Sequence, residues 1–349
     1  MTLPLTPLTR TGPVGPHGDD ARQVAGAFGL DPDSVLDLSA SLNPFAPDVA
    51  GLAAAHLGTL RRYPDRGDLD RATRALAAGL GVDADRVLVT NGGAEAIALV
   101  AADLGEGWVD PPEFSLYQRH LVQLRRGAPR FRSDPHNPTG RLAGPGETAE
   151  VWDEAFYPLA TGRWTRGDAA QGTSVVVGSL TKLFACPGLR IGYVVAPSSD
   201  PGLIDRLATA QPRWSVNGLA LALLPELVAT ADLPSWQQRV AEARDALGSV
   251  LAAHGLRARP SDANYLLVDG AAGLRDRLAA QGVVVRDCSS FGMPDTVRMA
   301  VPGPGGLERL DGALRTARSG GTRMLEIAIT TTDATTTATT TTDATKETS

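Results

Sequence analysis

From residue 86 onward, short apolar runs alternate with amphipathic stretches. Four apolar runs have the length of buried strands: residues 86–90, 150–152, 174–177 and 191–195. Val109 is the centre of a possible short fifth strand. After a turn at residues 91–93, residues 94–102 have the period of a helix. This alternation predicts an α/β fold with a mostly parallel sheet, crossover helices and reactive side chains at the carboxyl ends of the strands.

The last third of the globular region has a different order of elements. Long helical patterns come first, and shorter strand and helix patterns follow. The predicted helices are residues 217–230, 234–254, 271–281 and 306–317, and the predicted strands are residues 264–268, 283–286 and 296–301. Helices over a small sheet indicate a second, smaller α+β domain.

These patterns predict four regions. Residues 1–45 form an N-terminal arm and part of the small domain, and residues 46–205 form the large domain. Residues 206–318 complete the small domain. Residues 319–349 are a threonine-rich tail without aromatic residues, which we expect to be disordered.

Composition narrows the class of protein. The chain has 349 residues, 43% of them hydrophobic and 21% charged, which is ordinary for a globular protein. The net charge of −6 argues against nucleic acid or an anionic membrane as the main partner. The two cysteines, Cys186 and Cys288, have no metal-binding spacing, so no metal site is expected. We see no signal peptide and no membrane-spanning run, so the cytoplasm is the expected location.

One lysine stands out among the basic residues. The chain has 33 lysines and arginines, of which only Lys182 and Lys346 are lysine, and Lys346 lies in the tail. Unlike arginine, a desolvated lysine can lose its proton and attack an aldehyde. Lys182 follows an apolar strand that ends in small and hydroxyl residues, and we interpret it as a Schiff-base lysine rather than a surface charge.

Candidate phosphate ligands surround that lysine in sequence. Gly92, Gly93 and Ala94 join a strand to a helix start, where free backbone amides and the helix dipole attract anions. The glycine pair is weak evidence by itself. Together with Ser179 and Arg190 it completes a plausible phosphate site, which points to pyridoxal phosphate.

Two further polar residues fit the ring of that cofactor. Asn137, in the turn-forming run of residues 134–140, could bond the ring hydroxyl, although the run could also be merely a loop. Asp153 follows a strand and could keep the pyridine nitrogen protonated, although an aspartate at this position could instead cap a helix.

In this order, the motifs resemble the aspartate-aminotransferase superfamily, the fold type I enzymes of pyridoxal phosphate, over residues 17–317. The resemblance implies a seven-stranded type of sheet in the large domain. It implies that Lys182 binds the cofactor's aldehyde, Asp153 pairs with the pyridine nitrogen and Asn137 bonds the ring hydroxyl. It further implies that Phe114 stacks on the ring and that Tyr63 reaches the phosphate of a neighbouring subunit. A homodimer with shared active sites is therefore expected.

Within the superfamily, the chain is most similar to the branch of threonine-phosphate decarboxylase and histidinol-phosphate aminotransferase. Four segments resemble the decarboxylase side of that branch: residues 17–20, 36–44, 213–217 and 285–291. Both activities act on a phosphorylated amino substrate, and arginine suits phosphate and carboxylate recognition. The resemblance implies Arg298 for the substrate carboxylate. Arg286 and His17 are candidates for the substrate phosphate, and Asn43 is a further candidate substrate ligand.

The position three after Asp153 favours a decarboxylase, since aminotransferases usually have tyrosine there and this chain has Phe156. The leading hypothesis is decarboxylation of L-threonine O-3-phosphate for cobalamin biosynthesis. The alternatives are a histidinol-phosphate type of aminotransferase that uses glutamate and 2-oxoglutarate, and an inactive cofactor-binding or scaffold protein. The chain is shorter than the family pattern between Phe114 and Asp153, so the middle of the sheet should be trimmed.

Overall fold

A computed structural model of the protein describes residues 21–166 and 172–317. His17 and the whole of the predicted tail, residues 319–349, lie outside the described residues. Within them, the α-helices are Ala21–Phe28, Val49–Ala54, Arg66–Leu80, Gly92–Leu104, Ser115–His120, Tyr157–Thr161, Leu180–Leu183, Leu203–Ala210, Gly218–Thr230, Leu233–Ala253, Leu274–Ala279 and residues 306–317.

The strands form a central sheet and three smaller groups. Short 3₁₀ helices at Pro32–Ser34, Leu57–Arg61, Ala84–Arg86, Pro187–Leu189 and Ser289–Phe291 join several of the elements. The strands are β1 (Leu36–Asp37), β2 (Val87–Thr90), β3 (Glu106–Gly107), β4 (Gln123–Leu124), β5 (Phe131–Ser133), β6 (Val151–Asp153), β7 (Val175–Ser179), β8 (Gly192–Val195), β9 (Arg257–Ala258), β10 (Tyr265–Asp269), β11 (Val283–Val284), β12 (Arg286–Asp287) and β13 (Thr296–Ala300).

The central sheet has five strands in the order β2-β8-β7-β6-β5. The pairs β5–β6 and β6–β7 are parallel, whereas β8 is antiparallel to both β7 and β2. Only β8 is therefore reversed, which confirms the predicted α/β class with a mostly parallel sheet. Among the described residues, however, this sheet has five strands and not the seven that the resemblance implied. Because both faces are covered, β7 and β8 are buried along almost their whole length, and this explains their continuous apolar sequences.

The middle of the fold is short. Beyond β5, an isolated parallel bridge joins Trp108 to Arg130, and β3 pairs with β4 in a separate two-stranded sheet. Val109 is buried but belongs to no strand. The bridge is formed by the residue before it, Trp108, so the predicted short strand at Val109 is wrong. Residues 125–150, all of which are described, contain no helix.

The second sheet has the order β12-β13-β10-β9 and is antiparallel throughout. The predicted single strand at residues 283–286 is wrong, because the chain passes there from one sheet to another. β11 pairs with β1 in parallel, and two residues later β12 pairs with β13. Neighbouring parts of one segment therefore pair with β1, which follows the N-terminal arm, and with β13 of the second sheet.

Helices pack on both faces of the central sheet. On one face, helix Gly92–Leu104 packs Ile97 and Val100 against Val177 and Val194. On the other face, helices Arg66–Leu80 and Gly218–Thr230 pack together in a large cluster that also includes Tyr193. Among the described residues no single helix is long and apolar enough to cross a membrane, although helices Gly218–Thr230 and Leu233–Ala253, bent by 79°, pass such a test as a pair.

Candidate active site

A cavity of about 600 Å³ lies beside the carboxyl ends of β6 and β7 and the start of helix Gly92–Leu104. It contains most of the residues that the sequence predicts for the site, although they come from separate parts of the chain. The predicted residues that line it are Gly93, Ala94, Phe114, Asn137, Asp153, Ser179, Lys182, Arg190, Arg286 and Arg298.

Lys182 lies in a one-turn helix directly after β7. Its Nζ donates a hydrogen bond to the carbonyl oxygen of Ala40 at 2.8 Å. Burial and then the positive charge of Arg298 lower the pKa of Lys182 to about 8, with smaller effects from Arg286 and Arg190. A large fraction of this amine is therefore neutral near pH 8 and can act as a nucleophile.

Close backbone packing shapes one end of the cavity. Gly92 has a φ of +76°, and a Cβ on it would lie 2.7 Å from Nη2 of Arg190. A Cβ on Gly192 would lie 2.4 Å from the carbonyl carbon of Gly92. Only glycine fits these positions, and the packing leaves the first amides of helix Gly92–Leu104 beside Arg190 and Ser179. Amides at a helix start and a guanidinium form an anion-binding site.

Asp153, at the end of β6, is held by two hydrogen bonds. Its Oδ2 accepts from the hydroxyl of Tyr117 at 2.8 Å, and its Oδ1 accepts from the backbone amide of Ala155 at 2.9 Å. Burial raises the pKa of Asp153, and the two hydrogen bonds oppose that effect. A buried carboxylate in this setting gains most from a positively charged partner, such as a protonated ring nitrogen.

Asn137 connects the central sheet to the second sheet. Its Oδ1 accepts a hydrogen bond from Nη1 of Arg298 at 2.8 Å, and its backbone amide donates to Oγ of Ser133 at 2.7 Å. With Oδ1 engaged, the amide nitrogen Nδ2 is the group that can donate to a ligand oxygen in the cavity.

Arg286 and Arg298 are opposite each other in the antiparallel pair β12–β13. Both are only 6% exposed and both line the cavity. The guanidinium of Arg298 lies over the ring of Tyr265 at 4.6 Å, and that of Arg286 lies 5.5 Å from the ring centre of Phe291. Like charges directly opposite each other are destabilising in a sheet, so an anionic ligand between them would be strongly favoured.

Two phenylalanines contribute apolar surface to the cavity. Phe114 contacts Tyr117 edge to face at 5.8 Å between ring centres. Phe156 packs edge to face on Tyr265 at 5.2 Å. Since Phe156 has no hydroxyl, it cannot donate a hydrogen bond to a ligand in the cavity.

Three other predicted residues that the structure describes do not line the cavity. Gly92 lies directly behind it, against Arg190. Asn43 uses its Nδ2 to bond the carbonyl oxygen of Leu183 at 2.9 Å, and its backbone amide bonds the carbonyl oxygen of Lys182, so it holds the lysine turn. Tyr63 is 73% exposed and stacks on Trp214 at 4.5 Å. His17 lies outside the described residues.

The sequence analysis missed several residues that complete the site. Tyr117 is fully buried against Asp153, and Ser133 and Asp37 line the cavity. Tyr117 lies three residues after Phe114, close to one helical turn, and this spacing was the only signal that could have linked the two. Among the described residues, no group of histidine, cysteine or carboxylate side chains could hold a metal ion.

Comparison with known proteins agrees with this geometry. Residues 131–313 match the family described as aminotransferase class I and II. The chain is 32% identical to threonine-phosphate decarboxylase from Salmonella typhimurium, over 87% of this chain and 97% of the relative. It is 30% identical to histidinol-phosphate aminotransferase from Symbiobacterium thermophilum, over 91% of this chain and 99% of the relative.

Solved structures show the same fold. Histidinol-phosphate aminotransferase from Sinorhizobium meliloti, in complex with pyridoxal-5′-phosphate, superposes with a TM-score of 0.75 at 19% identity and covers 90% of this chain and 98% of that one. The protein described here is therefore a member of the aminotransferase class I and II family, with the fold type I architecture and the pyridoxal 5′-phosphate cofactor of that family.

Proposed function

We propose that the protein decarboxylates an amino-acid phosphate, with L-threonine O-3-phosphate as the first candidate substrate and cobalamin biosynthesis as its pathway. The pair of buried arginines at the cavity, Arg286 and Arg298, is the observation that carries this proposal. Threonine phosphate has two anionic groups, a carboxylate and a phosphate monoester. Each can occupy one guanidinium, whose planar fork binds either group through two hydrogen bonds.

The residues at the cavity fit pyridoxal 5′-phosphate. The close contacts of Gly92 and Gly192 leave backbone amides beside Arg190, where the cofactor's phosphate would bind. Lys182 would hold the aldehyde, Asp153 the pyridine nitrogen and Asn137 the ring oxygen, with Phe114 against the ring. Each of these four side chains lines the same cavity.

The bound cofactor supplies an electron sink for the bond that breaks at the substrate's α-carbon. Asp153 supports this by remaining an anion beside the ring nitrogen, helped by hydrogen bonds from Tyr117 and Ala155. Arg298 orients the substrate carboxylate, and Arg286 holds the phosphate at the other end of the substrate. Lys182, whose pKa burial lowers to about 8, would be the group that returns a proton to the α-carbon after carbon dioxide leaves.

A histidinol-phosphate type of aminotransferase is the second candidate, favoured by the relative at 30% identity. In that reaction Lys182 would move a proton from the α-carbon, and the arginine pair would bind phosphate in one half-reaction and the two carboxylates of glutamate in the other. Phe156 supports the decarboxylase, because aminotransferases of the family usually have a tyrosine at this position. Without that hydroxyl, Asn137 would be the donor to the ring oxygen. A catalytically inactive protein is the third and weakest candidate.

We also propose a homodimer with shared active sites. Tyr63 and Trp214 stack on each other and are 73% and 55% exposed, and Leu57 and Leu60 nearby in sequence are also exposed. Apolar surface of this kind is stabilised when another chain covers it. A second copy would bury the surface and bring Tyr63 to the cofactor phosphate of its partner.

A product assay on the pyridoxal-phosphate-loaded protein tests the function. One sample receives threonine phosphate alone, and the other receives histidinol phosphate with 2-oxoglutarate. Carbon dioxide and aminopropanol phosphate from the first sample are expected. Glutamate from the second sample, with no product from the first, would show that the protein is an aminotransferase and not a decarboxylase. No product in either sample, despite normal cofactor absorbance, would favour an inactive protein or a different substrate.

A subunit-mixing experiment tests the dimer. Tyr63→Ala and Lys182→Ala proteins are each expected to be nearly inactive. When they are unfolded together and refolded, hybrid dimers contain one site with both native residues if Tyr63 acts across the interface, and activity should return. Light scattering that reports a monomer, or mixing without recovery, would contradict the shared site.

A further inference from the structure

Glu113 is a buried carboxylic acid next to the site that the chemistry above does not use. It precedes Phe114 in sequence, is 5% exposed and does not line the cavity. Burial raises its pKa to about 7, against the lowering effect of the hydrogen bonds it receives. A buried carboxyl group is costly unless its neighbours satisfy it, so its contacts identify what it holds in place.

Glu113 joins two segments that each contribute a residue to the cavity. One carboxyl oxygen accepts from the backbone amide of Ser133 at 2.8 Å and from its hydroxyl at 2.9 Å. The other accepts from the backbone amide of Phe114 at 2.9 Å and lies 2.8 Å from the same hydroxyl. Glu113 therefore links the start of the Phe114 turn to the end of β5.

The link continues to Asn137. The hydroxyl of Ser133 donates to Glu113 and accepts from the backbone amide of Asn137 at 2.7 Å. Asn137 in turn accepts from Arg298. The orientation of the Ser133 hydroxyl, and with it the position of the Asn137 backbone, depends on the carboxyl group of Glu113.

The short middle of the fold makes this link more important. β5 has three residues, and no helix follows it before β6. The segment that carries Asn137 is thus not supported by a crossover helix. Side-chain hydrogen bonds therefore add to the backbone bonds that hold it, such as the one from the amide of Asp134 to the carbonyl oxygen of Asp153 at 2.8 Å. Asp134 supplies another such anchor, since it accepts from Arg166 at 2.7 Å and from the backbone amide of Ala143.

We propose that Glu113 is a positioning residue which, through Ser133 and the Phe114 amide, fixes Asn137 and Phe114 at the cofactor ring. This inference rests on the part of the proposed function that assigns Asn137 and Phe114 to the ring, and it does not depend on the substrate. Residues that orient the groups in direct contact with a ligand commonly change its affinity when they are replaced.

The test measures cofactor binding by Glu113→Gln and Ser133→Ala proteins and by the double variant. Apoprotein is titrated with pyridoxal phosphate, and the Kd and the visible absorption maximum are recorded together with the thermal midpoint. Glutamine keeps the size of the side chain but loses an acceptor, so cofactor affinity should fall about tenfold. The absorption maximum should shift, because the hydrogen bond to the ring oxygen changes. The double variant should be no weaker than about the worse single variant, since both act through one link.

Glu154→Gln is the matched control. Glu154 is also buried and lies next to Asp153, but its carboxyl group accepts a hydrogen bond from the backbone amide of Arg166 at 3.1 Å and is not part of the link from Glu113 through Ser133 to Asn137. The cofactor affinity and absorption maximum of the Glu154→Gln protein should match those of the unaltered protein.

A lower thermal midpoint with unchanged cofactor affinity and spectrum would show a purely structural role and overturn the proposal. Independent, multiplicative losses in the two single variants would also contradict it. If Glu113→Gln does not fold, Ser133→Ala alone decides, because it removes the same link with a smaller change. Failure of the unaltered protein to bind the cofactor at Lys182 would instead refute the underlying assignment of the site.

Discussion

The two sides of the cavity are built differently. On the cofactor side, Asp153 and Lys182 follow neighbouring strands of the central sheet, and each has a hydrogen-bond partner within the protein. On the substrate side, Arg286 and Arg298 come from the antiparallel second sheet and place two positive charges opposite each other. The first side thus holds one carboxylate and one amine, whereas the second side has two guanidinium groups whose positive charge a ligand with two anionic groups would neutralise.

The two sides also influence each other. The positive charge of Arg298 is the second largest cause of the lowered pKa of Lys182, after burial, and Arg286 adds to it. In the proposed function the arginines would therefore serve two purposes: they would attract the anionic substrate, and their charge lowers the pKa of Lys182. Variants on the two sides should differ in what they change: cofactor attachment and turnover on one side, and substrate affinity and the lysine's pKa on the other.

The largest effect is expected from Lys182→Ala, on the cofactor side. No other lysine lies among the described residues, so neither covalent attachment of the cofactor nor proton transfer can be replaced. Turnover should fall by at least about 10⁴-fold, and the visible absorbance of the lysine-bound cofactor should disappear. Spectra and product formation measure this, and retained turnover would refute the assignment of Lys182.

Asp153→Asn should have the next largest effect. Removing the negative charge beside the ring nitrogen weakens the electron sink, and kcat should fall on the order of 10³-fold. Tyr117→Phe removes only one hydrogen bond to this carboxylate and should lower kcat by about tenfold. Steady-state kinetics of both proteins check this order, and equal losses would mean that Tyr117 does more than orient Asp153.

The arginine side should respond mainly in substrate affinity. Arg298→Lys and Arg286→Lys keep the charge but lose the bidentate fork, and KM for threonine phosphate should rise up to about 100-fold. Unphosphorylated threonine distinguishes the two positions. The Arg298 variant should have a raised KM for both substrates, whereas the Arg286 variant should have a raised KM only for the phosphorylated one. The reverse pattern would exchange the two assignments.

The smallest and sharpest effect concerns pH. Below its pKa of about 8, Lys182 is mostly protonated, so the rate of cofactor capture by apoprotein should rise about tenfold per pH unit and level off above pH 8. Arg298→Gln removes a charge that lowers this pKa, so the midpoint should move to higher pH. Stopped-flow absorbance measures both curves, and an unchanged midpoint would show that Arg298 does not contribute to the lowered pKa of Lys182.

The sequence determined the features that depend on neighbouring residues. The strand and turn before Lys182, the glycine pair at the start of helix Gly92–Leu104 and the strands β10 and β13 were predicted within a few residues, because apolar period and local turn chemistry define them. The family followed from the same short motifs. Site features formed by residues close together in the sequence could thus be predicted without a structure.

Only the tertiary structure decided which distant residues meet. The split of residues 283–287 between β11 and β12 depends on partners far away in the chain, and so does the alignment of Arg286 with Arg298. The contacts of Tyr117 with Asp153 and of Glu113 with Ser133 join residues 36 and 20 positions apart. Local sequence cannot predict such contacts, since burial gives these polar groups their partners and burial is a property of the folded chain.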